Sequence, residues 1–288
     1  MKINVTDTSS FCVNSHDYTS AGIAVSAKLY SDGAEIKDLE IPGNVETIVK
    51  DAFYNCDNLT SVTLTNGVNS IGDNAFRDCD NISELKINVT DMSSFCVNSH
   101  DYTSVGIAVS AKLYSDGAEI TEVVIPSGVE SIVADAFYNC PDLTSVVLTD
   151  GINDMSPNAF QFCENIGELK INISDMSTFC GNSHNYTSAG LSVPVRLYSD
   201  NEEITEMVIP EEVETIVTGA FYNCTGLTAL ILPEKIQSVN QNAFQGCENY
   251  CCPEKLYQLR YFLPDSNKSF YTIYCMSEKN HLIIWKFF

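Results

Sequence analysis

The residue types in this chain that could do chemistry come as a repeated pair. Cys12-Val-Asn-Ser-His16 recurs as Cys96/His100 and Cys180/His184. A thiol four residues from an imidazole offers two soft zinc ligands or the start of a thiolate nucleophile. Neither chemistry is complete. A zinc site takes at least three protein ligands, the three copies lie too far apart in sequence register to share one ion, and a Cys-His nucleophile needs a further group to orient the base. The pattern predicts a satisfied structural histidine beside a buried thiol, with no metal, no cofactor and no catalytic residue. Glu202-Glu203 and Glu211-Glu212-Val-Glu214 carry the carboxylate oxygens that calcium prefers, but neither has EF-hand or RTX spacing, so both read as a solvated acidic face.

The pair recurs because the chain does. Ile3-Asn-Val-Thr-Asp returns at Ile87 and, as Ile-Asn-Ile-Ser-Asp, at Ile171, a period of 84 residues. Inside it runs a period of 23, from Phe53 to Phe76 and Cys56 to Cys79, and again from Phe137 to Phe160 and Phe221 to Phe244. Segments reading Leu/Ile-x-x-apolar-x-apolar begin at Ile36, Leu59, Ile82, Ile120, Leu143, Ile166, Ile204 and Leu227, so each unit holds two 23-residue coils and one 38-residue coil.

A repeat of about 20–29 residues carrying such strands is the signature of a leucine-rich repeat. The predicted fold class is an α/β-type repeat solenoid whose short parallel strands stack into a curved sheet. Its expected extent is residues 1–249, in units 3–86, 87–170 and 171–249. In Leu59-Thr-Ser-Val-Thr-Leu, alternation sends Leu59, Val62 and Leu64 inward and leaves Thr60, Ser61 and Thr63 to solvent. Val68, Ile71, Phe76 and Cys79 on the return path close the core. Within the long coil, Thr90-Asp91 predicts an N-cap for a short helix over Met92-Ser-Ser-Phe-Cys96. Ser115-Asp116-Gly117, and Ser199-Asp200-Asn201 in the third unit, predict a hairpin turn with positive φ.

Nine of the 12 cysteines fall in the columns 12/96/180, 56/140/224 and 79/163/247. Members of a column lie three coils apart, on the order of 15 Å, beyond disulfide reach. Buried free thiols acting as small hydrophobes are expected. Sequons at Asn4, Asn58, Asn81, Asn88, Asn172, Asn185, Asn223 and Asn267 arise readily in an Asn- and Thr-rich repeat. With 15 Lys and Arg against 38 Asp and Glu, the net charge of −23 repels phosphate backbones, so nucleic acid is not an expected partner. No apolar run approaches the ~20 residues a membrane-spanning helix needs, so no membrane insertion is expected. Met1-Lys-Ile-Asn-Val-Thr-Asp has neither a basic nor an apolar leader region, and no signal peptide is expected.

The outward middle residues of the sheet strands form one row: Glu40, Thr63, Lys86, Val124, Val147, Lys170, Val208 and Ile231. The row turns apolar toward the C-terminus, which points to a concave ligand-binding face. Branched residues also suit any pleated surface, so the row reads equally as β-propensity.

Ile125-Pro-x-x-Val129-x-x-Ile132-x-x-x-Ala136-Phe137-x-x-Cys140-x-x-Leu143-x-x-Val146 resembles the Treponema-type leucine-rich repeat of BspA-like surface proteins. The resemblance covers residues 1–249, with Ile48-Val, Ile132-Val, Ile216-Val and Met155-Ser replacing the usual Ile-Gly. It implies a secreted or cell-surface protein of adhesion or host-surface recognition, with a protein or glycoprotein ligand of extracellular-matrix or mucin type. The competing reading is a structural or variable surface spacer, or a truncated fragment without binding activity of its own. Met1-Lys2-Ile3 aligns with Leu85-Lys86-Ile87, so the chain opens mid-coil, as a truncated or uncapped end would. Residues 250–288 abandon the repeat for a Tyr-, Phe- and Lys-rich stretch, read either as a C-terminal cap or as a frameshifted tail.

Overall fold

The computed structural model describes residues 1–247 apart from 24, 66, 234 and 241, together with strands at Tyr274–Met276 and Leu282–Ile284 that pair antiparallel. Apart from those two strands, the cap-or-tail question at 250–288 lies outside the described residues. The chain forms two compact units. One holds Met1–Val123, Ser131–Thr144 and Met155–Asn165, and the other Val124–Glu130, Ser145–Asp154 and Ile166–Phe288. Among the described residues no helix is long and apolar enough to cross a membrane.

In the first unit, strands Asp38–Glu40, Ser61–Thr65, Glu84–Asn88 and Ala111–Ser115 lie side by side in parallel, and Ala118–Glu119 closes the edge antiparallel. Glu40 pairs with Thr63, Thr63 with Lys86 and Lys86 with Lys112. The register steps are therefore 23, 23 and 26 residues. The 38-residue spacing resolves into one further rung, 26 residues on, and a 12-residue step from Lys112 to Val124 that passes through the hairpin Ala111–Ser115/Ala118–Glu119. The second unit repeats this: Ser145–Thr149, Glu168–Asn172 and Val195–Ser199 run parallel, with Lys170 on Arg196 and Glu202–Glu203 turned back antiparallel. Glu206–Val208 then pairs with Ala229–Ile231. Lys2–Asn4 on Lys28–Ser31 is the same pairing at the start of the chain.

The hairpins turn at residues that accept left-handed backbone: Asp32 and Gly33 (φ 49° and 80°), Asp116 and Gly117 (49° and 78°), Asp200 and Asn201 (50° and 66°). Two consecutive positive φ values make the turn whose twist matches paired strands, and Asn201 fills the second place without a glycine. The helix at Met92–Cys96 starts where the carboxylate of Asp91 accepts from the amides of Ser93 and Ser94, at 3.0 and 3.3 Å. The hydroxyl of Ser94, followed by those amides, holds the Asp91 carboxyl below its ordinary range. Asp7 and Asp175 cap the sister helices in the same way.

Between coils the core is a column of phenylalanines. Phe53 and Phe76 stack at 5.0 Å, Phe137 and Phe160 at 4.6 Å, and Phe221 and Phe244 at 4.9 Å, each pair within 10° of parallel. A 23-residue period sets one ring above the next, and backbone bonds such as Phe137 N–H to the Ala159 carbonyl (2.7 Å) hold the spacing. The long coil is fastened by left-handed asparagines. The Asn139 carbonyl accepts from Ala111 N–H at 2.9 Å, and its side chain donates to the Val109 carbonyl at 3.2 Å. Gly106, at φ 104°, packs against the backbone of Phe76 and Arg77 so closely that an added Cβ would lie 2.6 Å from both, which makes glycine obligatory there.

All nine described cysteines are buried free thiols. Cys79, Cys163 and Cys247 each donate to a phenylalanine carbonyl of the preceding coil, at 3.0, 3.0 and 2.9 Å.

Candidate binding face

Alternation along each strand fixes the face. Leu39, Val62, Leu64, Leu85, Ile87 and Leu113 are buried, so their neighbours at odd steps point away from the core. In the first unit this aligns Glu40, Thr63 and Lys86 across adjacent strands. Val147 and Lys170 align in the second, as do Val208 and Ile231. Val124 lies one residue before Ile125, whose amide donates to the Val147 carbonyl at 2.9 Å.

Three of the four apolar positions lie open: Val124 is 54 % exposed, Val208 66 % and Ile231 56 %. Val147 corrects the expectation of a solvent-facing residue, since only 8 % of it is accessible. It sits on an inner strand, with neighbouring strands on both sides, and the long stem of Lys170 is its lateral neighbour. Ser61 is a second correction: it is buried, and its hydroxyl donates to Asp38 at 2.6 Å.

The cations of the row are held by carboxylates. Lys86 lies 3.1 Å from Glu84 and Lys170 3.4 Å from Glu168. The hydrogen bond and charge of Glu84 raise the Lys86 pKa above its ordinary value. Register also adds two residues that the sequence row missed, Lys112 beside Lys86 and Arg196 beside Lys170. Arg196 reaches Glu203 at 2.5 Å and Glu168 at 3.5 Å, while Lys112 reaches Asp142 at 3.5 Å. Their signal was the repeated Lys112-Leu-Tyr114 and Arg196-Leu-Tyr198, which alternates as a strand does but lacks the leucine opening of the other rungs. The outcome is a face of mixed charge whose cations are paired to carboxylates and in which the open valines and Ile231 are the apolar ground.

The Cys-His pairs sit elsewhere, inside the long coils. His100 is 3 % exposed and His184 1 %. The Nε2–H of His100 donates to the Phe95 carbonyl at 3.3 Å, so Nδ1 is the acceptor of the Tyr102 hydroxyl at 2.8 Å. The His100 ring stacks on Phe95, centroids 3.8 Å apart. His184 repeats these contacts with Phe179 and Tyr186. Burial drives both imidazoles down to about 4. It pushes the Cys12, Cys96 and Cys180 thiols up to about 12. At neutral pH each of the second and third pairs holds a thiol that keeps its proton and a base too weak to take it, with both ring nitrogens already bonded; in the first, His16 is half-buried, stacks on Phe11 at 3.6 Å and meets the Ala52 carbonyl through Nδ1 at 2.8 Å. Among the described residues no three His, Cys, Asp or Glu side chains gather as metal ligands. In the acidic runs, Glu203 is paired to Arg196 and Glu214 accepts from Gln237 at 2.8 Å.

Comparison with known proteins places this architecture. The model of the BspA type leucine rich repeat region matches residues 24–112, 107–189 and 191–273, with six copies. Among solved structures, the chain is similar to a leucine-rich repeat protein from Bacteroides ovatus, at 18 % identity and TM-score 0.38, covering 84 % of this chain and 76 % of that one. It is also similar to the leucine rich repeat protein of T. pallidum, at 19 % identity and TM-score 0.24, covering 78 % of this chain and 84 % of that one. A third similar structure is a leucine rich cell surface protein from Faecalibacterium prausnitzii, at 18 % identity and TM-score 0.25, covering 79 % and 63 %. No curated protein matches. The chain belongs to the BspA-type leucine-rich-repeat family, a repeat scaffold of protein interaction.

Proposed function

We propose that this scaffold works in adhesion or host-surface recognition at a microbial cell surface, taking a protein or glycoprotein ligand of extracellular-matrix or mucin type on its outward sheet face. The observation that carries the reading is the exposure of Val124, Val208 and Ile231 at positions whose counterparts in the first repeat are polar, Glu40 for the two valines and Thr63 for Ile231. A threonine would satisfy the strand equally well and would keep the surface polar. Apolar side chains left in water on a regular sheet support a docking role. The acidic chain favours ligands with basic surfaces.

The test is binding of the full chain to immobilised extracellular-matrix proteins and mucins, beside the variant V124K/V208K/I231K. All three positions are exposed, so the variant is expected to fold with less than about 0.5 kcal/mol lost per site. Retained fold with binding weakened at least tenfold is the expected result. Equal binding by both proteins places the ligand off this face, and no binding by either favours the spacer reading.

A further inference from the structure

Phe162 stands where the fold asks for a residue that tolerates left-handed backbone. Its φ is 65°, and the matching residues one 84-residue period away are Asp78 at 61° and Gly246 at 83°. A bulky side chain is strained in that region, where Asp and Gly are at ease. The core gains little from it: the ring is 49 % exposed, while Phe137 and Phe160 beneath are already buried. The ring instead meets Tyr138 edge-on, centroids 5.3 Å apart at 84°. A strained aromatic kept at the surface points to a role outside folding.

The surroundings indicate the chemistry of the partner. Asp101 and Asp135 lie near Tyr138: the Asp135 carbonyl accepts from the Tyr138 amide at 3.1 Å and from the amide of His100, the residue before Asp101, at 3.0 Å, and neither carboxylate has an ion-pair partner among the described residues. The Asp101 carboxylate accepts from Thr103, through its amide at 2.9 Å and its hydroxyl at 2.6 Å. Asp135 has its carboxyl raised by partial burial and then by the charge of Asp101. Desolvation, then the charges of Asp101 and Asp135, raise the Tyr138 hydroxyl. Two rings and two mutually repelling carboxylates thus share one patch in a chain of net charge −23.

The sister patches differ. In the first unit Asp17, Asp51 and Tyr54 are present, but Asp78 replaces Phe162 and takes the Tyr54 hydroxyl as a hydrogen bond, so no second ring is there. The last repeat has Asn185, Gly219 and Gly246 around Tyr222, with neither carboxylate nor second ring.

We propose that Tyr138, Phe162, Asp101 and Asp135 form a second docking site, separate from the sheet face, for an arginine side chain of a partner protein. A guanidinium is planar and weakly hydrated, lies against aromatic faces, and still directs N–H groups to carboxylates in its own plane, which a compact, strongly hydrated lysine ammonium does less well. The partner is a basic, arginine-bearing segment rather than a further acidic surface.

The test titrates the full chain with a fluorescent Gly-Arg-Gly-Arg-Gly peptide, and with the same peptide carrying citrulline or lysine in place of arginine. F162D is the decisive variant, because it installs the residue of the sister turn and adds a negative charge. The site predicts that F162D raises the dissociation constant about tenfold. D101N/D135N is expected to do the same, with citrulline not binding and lysine binding more weakly. F162G is expected to lose binding while its melting temperature holds or rises, which separates loss of the site from loss of fold. Tighter or unchanged binding by F162D would show that net charge alone attracts the peptide, and citrulline binding equal to arginine would remove the cation; either result overturns the proposal.

Discussion

Replacing Phe137 with alanine will cost about 3–5 kcal/mol of stability, the range for deleting a fully buried aromatic. Phe137 is inaccessible to solvent, stacks on Phe160 at 4.6 Å and 5°, and meets Phe95 at 5.2 Å. Aromatic pairs of this kind add about 0.5–1.5 kcal/mol beyond area burial. The coil cannot collapse into the gap, because the backbone of Phe137 is bonded to the next coil through Ala159 and the Cys163 thiol donates to its carbonyl. Each repeat is stabilised by its neighbours, so the loss falls on two coil interfaces at once. Urea denaturation followed by far-ultraviolet circular dichroism measures it. A loss below about 1 kcal/mol would show that the phenylalanine column is not the core.

Acid will destabilise the protein between pH 6.5 and about 4, through His100 and His184. In the folded chain both imidazoles are held down to about 4 by burial, against an ordinary value of 6.5. As pH falls through 6.5 the unfolded chain takes up a proton at each position while the folded chain does not, so stability declines with falling pH and levels off once the folded imidazoles protonate near 4. Each histidine contributes roughly 3 kcal/mol over that window. The helix-capping carboxylates of Asp91 and Asp175 act in a lower window. Their folded values lie below the ordinary 3.8, so their stabilisation is present above that value and is lost only as pH drops through the folded one. Urea midpoints at pH 7, 5.5 and 4.5 for the native chain and for H100Q/H184Q are the measurement. The native chain is expected to lose stability steeply and the variant to lose much less; parallel slopes would contradict the burial of these rings.

The structure also shows where the sequence is readable and where it is not. The 23-residue spacing of Phe137 and Phe160 is a periodic signal, and a periodic signal survives because every coil must place its ring over the last. Asp91 and the Asp116-Gly117 turn were readable because capping and positive φ are set by a few local residues. The rung at Ala111–Ser115 was hidden. Val109-Ser-Ala-Lys-Leu offers no leucine opening, and its place is held by a long-range bond from Ala111 to the left-handed Asn139. For the same reason the row of outward residues lacked Lys112 and Arg196. Val147 failed differently: alternation gives the face of a residue but not how far its neighbours cover it, which depends on the strands at both sides. Phe162 could be read only by setting it against Asp78 and Gly246, where a bulky residue takes the place of two turn formers.

A ligand on the outward sheet face will shield the lysines that stand there, and lysine reactivity reads that directly. Lys86 and Lys170 stand on that face, in the middle strands of their ladders, whereas Lys50 lies on a return turn after Ile48. Acetylation of the full chain, alone and saturated with the matrix protein or mucin it binds most tightly, followed by mass spectrometry, gives the modification rate at each lysine. Slower modification of Lys86 or Lys170 on binding, with Lys50 unchanged, is the predicted result. Protection of Lys50 with Lys86 and Lys170 as reactive as before would put the ligand on the return side and rule out the sheet face as its site.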